Sequence, residues 1–376
     1  MIKYCRLLLI ILIFGLLALP LFHMNTAEIT EQENRTLAKF PKMRKKGKLN
    51  TNYGKEFESW LGDRFWGRDQ LIDTRFQTLY KINGRIENDK AFIGDDGWMF
   101  EKSKTVNRPS VKKQREKIKK DAEILKKFAD KFKDKNISIY FVIIPNREQL
   151  YQKYWERYYP MKEKINREEE YRKNLETYPE IRIISSGDDF MKEHENKLLY
   201  YKTDSHLTHE GINLIRSKVF NRIHADFFST QDIQYDIIPI IEKRGDIAVK
   251  LNLGWSEKRE SFWLKNITHK NYPSFTFLKK EGEKNKNWYR IEITEAKAPL
   301  IKANLYVIGP CSGQGMNQLF APIFKKTFYF RMKNWKEEQK SQKECAEKYL
   351  IPNITNGDVF IIMDDTSYIQ KYILKE

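Results

Sequence analysis

Ile137-Ser138-Ile139-Tyr140-Phe141-Val142-Ile143-Ile144 is a run of β-branched and aromatic residues broken by a single serine. A strand with one wet face would alternate polar and apolar residues. A continuous apolar run of this length instead marks a central strand buried on both faces. It stops at Pro145, and Asn146 and Arg147 follow in the loop. Upstream, residues 110–133 place Val111, Ile118, Ala122, Leu125, Ala129 and Phe132 at helical spacing with lysines opposite. Downstream come a helix over 165–177, a strand Ile181–Ile184, a helix over 187–196, and an amphipathic helix His209–Phe227. The pattern resumes late in the chain, with strands at Asn304–Ile308, Thr327–Phe330 and Asp358–Met363 and helices near 316–321 and 336–349. Such alternation predicts an α/β fold: a mostly parallel sheet flanked by helices.

Residues 91–100 read as a β-hairpin turning at Asp96-Gly97. An amphipathic helix starts near Phe57-Glu58-Ser59-Trp60-Leu61. Between 228 and 300 helical periodicity fades, and aromatics are scattered among lysines. That stretch reads as a mixed insertion with some strands. At the N-terminus, Lys3 and Arg6 precede the uncharged run Leu7–Phe22. This predicts a signal peptide or signal anchor over 1–26, with association to the inner membrane through residues 7–22 and the rest outside it. Residues 27–52 form a polar linker, and 53–376 form the main domain.

The chain has 376 residues, 40% hydrophobic and 14% aromatic, enough for a sizeable core. Lys and Arg exceed Asp and Glu by 69 to 51, a formal charge of +18, which suits an anionic surface or polymer. No nucleic-acid motif accompanies that charge. The cysteines are Cys5, Cys311 and Cys345, which is neither a disulfide framework nor a metal-binding spacing.

Two sites carry candidate chemistry. In Tyr201-Lys202-Thr203-Asp204-Ser205-His206-Leu207-Thr208 an acid stands two residues before a histidine. A carboxylate behind an imidazole fixes its tautomer and stabilises its charged form. On an extended segment this spacing puts both side chains on one side. The second site is the elbow Gly309-Pro310-Cys311-Ser312-Gly313-Gln314-Gly315, where a strand runs through small residues into a helix start. Sites in α/β sheets form at such strand ends. Cys311 and Ser312 are adjacent candidate nucleophiles, with Gly309 and Gly313 allowing close backbone approach. Asn146 and Arg147, in the loop after the first central strand, are candidate substrate-binding residues.

Several segments, taken in order, resemble the SGNH-hydrolase-like proteins of the alginate O-acetyltransferase group (the AlgJ and AlgX type). They are Glu33-Asn34-Arg35 with Phe40-Pro41, Asp63-Arg64-Phe65 with Arg68, Ile93-Gly94 with Gly97-Trp98-Met99-Phe100, Ile144-Pro145, Thr203–Thr208, Gly245-Asp246-Ile247-Ala248 and the late elbow. The resemblance implies an extracytoplasmic enzyme that moves acetyl groups onto hydroxyls of an exopolysaccharide or other cell-envelope glycan. It assigns the acid and histidine of a triad to Asp204 and His206. It also implies a membrane-bound O-acyltransferase (MBOAT-type) partner that delivers the acetyl group, and no other cofactor. At the elbow this chain departs from the family pattern: Pro310 and Cys311 stand where the family carries Asp or Thr and then Ser. Leu207 also replaces the Trp that follows the family's histidine. Cys311 and Ser312 both remain open as nucleophile. An acetyl esterase of the same fold, or a decayed glycan-binding or assembly subunit, are the alternatives. Tyr151, Tyr154, Trp155, Tyr158 and Tyr159 would suit a glycan or simply pack.

Overall fold

Strand β1, Ser138–Ile143, buries successive residues on opposite sides of a sheet. Ile139, Phe141 and Ile143 enter one core, and Tyr140 and Val142 enter the other. This two-sided burial is the reason its sequence does not alternate. The computed structural model describes residues 14–15, 23–27, 29–30, 35–45, 47–83, 86–160, 163–227, 233–237, 241–251, 253, 255–259, 264–269, 275–282, 289–310, 313, 316–331, 342–364 and 366–374. The sheet continues with β2 (Ile181–Ser185), β3 (Phe275–Gly282), β4 (Tyr289–Ala296), β5 (Leu305–Gly309), β6 (Lys326–Arg331) and β7 (Val359–Met363). Their spatial order is β3-β4-β6-β5-β7-β1-β2. The five strands from β6 to β2 are parallel, and β4 and β3 add an antiparallel edge.

The helices in chain order are α1 (Tyr53–Arg64), α2 (Arg68–Asn83), α3 (Val111–Lys131), α4 (Arg147–Leu150), α5 (Arg167–Leu175), α6 (Gly187–Glu193), α7 (His209–Phe227), α8 (Asp246–Lys250) and α9 (Met316–Leu319). Helix α3 starts at Ser110, whose hydroxyl accepts the Lys113 N–H as an N-cap. Its face of Ile118, Leu125 and Phe128 covers Ile139, Phe141, Tyr306 and Phe360. On the other side Ile212, Ile215, Val219 and Ile223 of α7 pack over Tyr140, Val142, Val307 and Ile361. The hairpin forms as expected, Ala91–Ile93 against Met99–Glu101, with Asp96 and Gly97 both at positive φ in its turn. A third, smaller core joins Ile93 and Met99 of this hairpin to Ile247, Ala248 and Leu251 around α8.

Two expectations change. The stretch after residue 228 contains strands, but β3 and β4 extend the main sheet instead of standing apart from it. Helix α1 forms, yet none of its residues is buried. Tyr151 and Trp155 are core residues: Tyr151 stacks on Trp98 at 3.9 Å, and the Trp155 indole N–H donates to the Glu148 carbonyl. Among the described residues no helix is long and apolar enough to cross a membrane. The apolar run 7–22, apart from Phe14 and Gly15, lies outside the described residues. So do Glu33-Asn34 and the first part, 336–341, of the late helix.

Candidate active site

The carboxyl ends of β1, β7 and β5 lie side by side, and each runs into a loop at the same sheet edge. After β1 come Pro145, Asn146 and Arg147; after β7 comes Asp364; after β5 comes Pro310. Asp364 donates its N–H to Val142 O (2.9 Å) and pairs with Arg167 at 2.5 Å. Burial pushes its carboxyl pKa up, against the pull of that arginine. Met363 lies against the elbow. A Cβ on Gly309 would meet it at 3.0 Å and one on Gly313 at 2.7 Å, so both glycines let the elbow pack onto β7. The Pro310 carbonyl accepts the Gly313 N–H and the Tyr329 hydroxyl, both at 2.9 Å. Cys311 and Ser312 lie outside the described residues.

The loop 201–208 is tied to this edge by hydrogen bonds. Tyr200 donates its hydroxyl to Pro145 O. Arg147 is buried and donates from Nε and Nη2 to Tyr201 O (3.3 and 3.0 Å) and from Nη2 to Lys202 O (2.9 Å). Its guanidinium also lies over the rings of Trp98 and Phe100, 5.2 and 5.0 Å from their centroids. Burial pulls its pKa down, while Glu148, Asp246 and Asp204 support the charged form. The expectation of a substrate-binding arginine is therefore corrected, since the side chain is spent on loop carbonyls inside the protein. Asn146 caps α4, its Oδ1 accepting the Gln149 N–H at 3.1 Å. Removing a buried, hydrogen-bonded charge strands its acceptors, so Arg147→Met is expected to lower the unfolding free energy by about 3 kcal/mol in urea titration.

Asp204 and His206 meet, but not through strand alternation. The segment is a bend in which Asp204 Oδ1 accepts the His206 backbone N–H at 2.8 Å and lies 2.6 Å from the ring Nδ1. A short Asp side chain bonding two residues on is an Asx-turn. It replaces the expected extended geometry and gives the same pairing. Asp204 is buried, and its Oδ2 accepts the Asp246 N–H at 2.8 Å. Three donors thus fix the carboxylate. With Nδ1–H directed at Asp204, the neutral imidazole carries its lone pair on Nε2. The His206 side chain is 45% exposed.

Two further residues complete the frame. Asp246 accepts the Ser205 N–H (2.7 Å) and hydroxyl (2.6 Å). Glu257, on the strand Ser256–Arg259, accepts the N–H groups of Lys202 (2.9 Å) and Thr203 (2.7 Å) and the Thr203 hydroxyl (2.6 Å). Asp246 stands in the Gly245–Ala248 motif noted in the sequence. Glu257 had no local signal, because its donors lie more than fifty positions away. Ligand atoms of Asp204, His206 and Asp246 lie within 4.8 Å of one another. Their oxygens are already committed to this hydrogen-bond frame, which a cation would have to dismantle.

Residues 91–276 match the family model of the SGNH hydrolase-like domain of acetyltransferase AlgX. Over that stretch the chain is similar to an AlgX-type SGNH hydrolase-like domain. The matched stretch holds the hairpin, Arg147, the Asp204–His206 loop, Asp246 and Glu257, and ends before the elbow. No curated protein matches the sequence. Among solved structures, Bacillus cereus PatB1 is similar at 13% identity over 74% of this chain and 97% of that one, with a TM-score of 0.47. The O-acetyltransferase domain of Pseudomonas putida AlgJ is similar at 9% identity over 76% and 99%, with a TM-score of 0.48. Pseudomonas aeruginosa AlgX is similar at 11% identity over 74% and 65%, with a TM-score of 0.42. Likeness at this level speaks to neither substrate nor chemistry.

Proposed function

We propose that this protein is an O-acetyltransferase that places acetyl groups on hydroxyls of an exopolysaccharide or related cell-envelope glycan. The observation that carries the reading is the 2.6 Å contact of His206 Nδ1 with a buried, fully oriented Asp204, inside an AlgX-type domain. His206 Nε2 takes the proton from Cys311 Sγ or Ser312 Oγ as that atom attacks the acetyl carbonyl of the donor. The donor's leaving group departs with the proton. A sugar hydroxyl then attacks the acyl-enzyme, gives its proton to His206, and leaves as the acetyl ester. The nucleophile recovers its proton from His206. Asp204 stabilises the imidazolium at each stage. Backbone N–H groups around 311–313 are the candidate oxyanion donors. The donor is an activated acetyl ester supplied by a membrane-bound O-acyltransferase. The site works outside the inner membrane, with residues 7–22 as signal or anchor.

The test compares Cys311→Ala with Ser312→Ala, using an activated acetyl ester and a glycan acceptor. One variant is expected to lose transfer by about 10³-fold and the acetyl adduct seen by mass spectrometry. The reading fails if both variants keep full rate. Acetyl release at the same rate with and without glycan would identify an esterase instead.

A further inference from the structure

Helix α1 turns a stripe of rings outward. Tyr53, Phe57 and Trp60 follow i, i+4, i+7 spacing and touch one another, with centroids 6.2 and 5.5 Å apart. Phe40 packs edge-on against Trp60 at 4.8 Å and Phe57 at 6.1 Å. The stripe is not a core: Phe40 is 57% exposed, and nearby Met43 and Leu49 are 67% and 77% exposed. Met43 and Leu49 belong to a short hairpin segment, Arg44–Lys45 paired with Lys48–Leu49. Asn50 Nδ2 clamps that segment to the helix by donating to Lys42 O and Glu56 Oε2, both at 3.0 Å. Between positions 39 and 58 the sequence carries seven basic residues against two glutamates. Lys39, Lys42, Arg44, Lys48 and Lys55 are exposed beside the rings.

The chain just past the N-terminal apolar run is fixed to the end of the same helix. The His23 ring, one residue past Phe22, lies 5.8 Å from the Trp66 ring, and Trp66 is 57% exposed. Asn25 N–H donates to Arg64 O (2.9 Å), and Arg64 Nη1 donates back to Asn25 O (2.7 Å) and Ala27 O (3.2 Å). The uncharged run Leu7–Phe22 directly precedes this segment in the sequence.

We infer that the ring-and-lysine face of residues 39–66 docks on an anionic phospholipid surface. Rings of Trp, Tyr and Phe settle at the headgroup boundary, and exposed lysines attract anionic headgroups. The face would hold the catalytic domain in a set orientation against the membrane, a constraint that the apolar run alone does not supply.

The test reconstitutes the full-length chain in phosphatidylcholine vesicles with and without phosphatidylglycerol, using phospholipid brominated near the headgroup as the quencher of tryptophan fluorescence. The chain has eight tryptophans. Trp60→Phe/Trp66→Phe, which keeps ring packing, is expected to reduce bromolipid quenching at least about two-fold. Lys42→Glu/Lys48→Glu is expected to reduce it by about two-fold in phosphatidylglycerol vesicles and to leave it unchanged in pure phosphatidylcholine. Quenching of the tryptophan variant equal to that of the wild type overturns the docking face. So does an unquenched wild type whose light-scattering mass doubles, because a second copy then covers the rings. Equal effects of the lysine changes in both lipids overturn the anionic preference.

Discussion

His206→Ala is expected to lower acetyl transfer by about 10³-fold with little loss of stability. The ring is 45% exposed, and the Asp204 carboxylate beside its Nδ1 keeps two backbone donors, His206 N–H and Asp246 N–H. Truncation therefore removes the proton carrier without emptying a core. The thermal midpoint should move by no more than a few degrees, and near-UV circular dichroism should be unchanged. Asp204→Asn makes a sharper companion. Asparagine offers one acceptor and one donor group where Asp204 uses both oxygens as acceptors. If Oδ1 still faces His206, the new NH2 meets the Asp246 N–H, donor against donor. The substitution should thus cost both rate and about 2 kcal/mol of stability. A His206→Ala protein with wild-type transfer would end the acid–base assignment; a melted one would show the loop to be structural instead.

How far the sequence announces this arrangement depends on how local its cause is. The run Ile137–Ile144 and the period of α3 and α7 are local properties, and the strands and helices they predict are present. The Asp-Gly turn at 96–97 is equally local. Long-range acceptors leave no such trace. Arg147 follows a strand end, where substrate contacts are common, yet its partners are the carbonyls of Tyr201 and Lys202. Only the fold brings those carbonyls to it. Glu257 sits among aromatics and lysines without periodicity, and serves as the acceptor for the 202–203 backbone. Strands β3 and β4 come from the same unpatterned region, and their place at the sheet edge is set by pairing of β4 with β6 and of β3 with β4. The Asp204–His206 pair was legible as chemistry while its geometry was not, since an Asx-turn and an extended strand give the same two-residue spacing.

The second large effect is expected at a residue that carries no side chain. Gly245 has φ −69 and ψ 147, which alanine adopts readily, so any cost of Gly245→Ala comes from space alone. That space is absent: a Cβ there would lie 2.0 Å from Thr203 O and 2.4 Å from its carbonyl carbon. Backbone cannot rotate away as a flexible side-chain tip does. The two segments must part by more than about 1 Å, given contact distances of 3.3–3.6 Å for carbon against carbonyl oxygen. The bonds that cross this gap would stretch together: Ile247 N–H and Ala248 N–H to Thr203 O, at 3.2 and 3.1 Å, and Asp246 N–H to Asp204 Oδ2. Stability should fall by about 3 kcal/mol in urea titration. The catalytic rate should fall about 10²-fold more than that of a control variant of equal stability, because Asp204 loses its setting by a displacement of this order. Gly187→Ala is a separate control, for the glycine-to-alanine change itself. Its added Cβ would meet nothing closer than the Ser185 hydroxyl at 3.5 Å, and it should be neutral or slightly stabilising. If both alanine variants unfold at the wild-type midpoint, close contact between 203 and 245 does not set the carboxylate. If Gly245→Ala loses stability but keeps its rate, His206 does not depend on the orientation of Asp204.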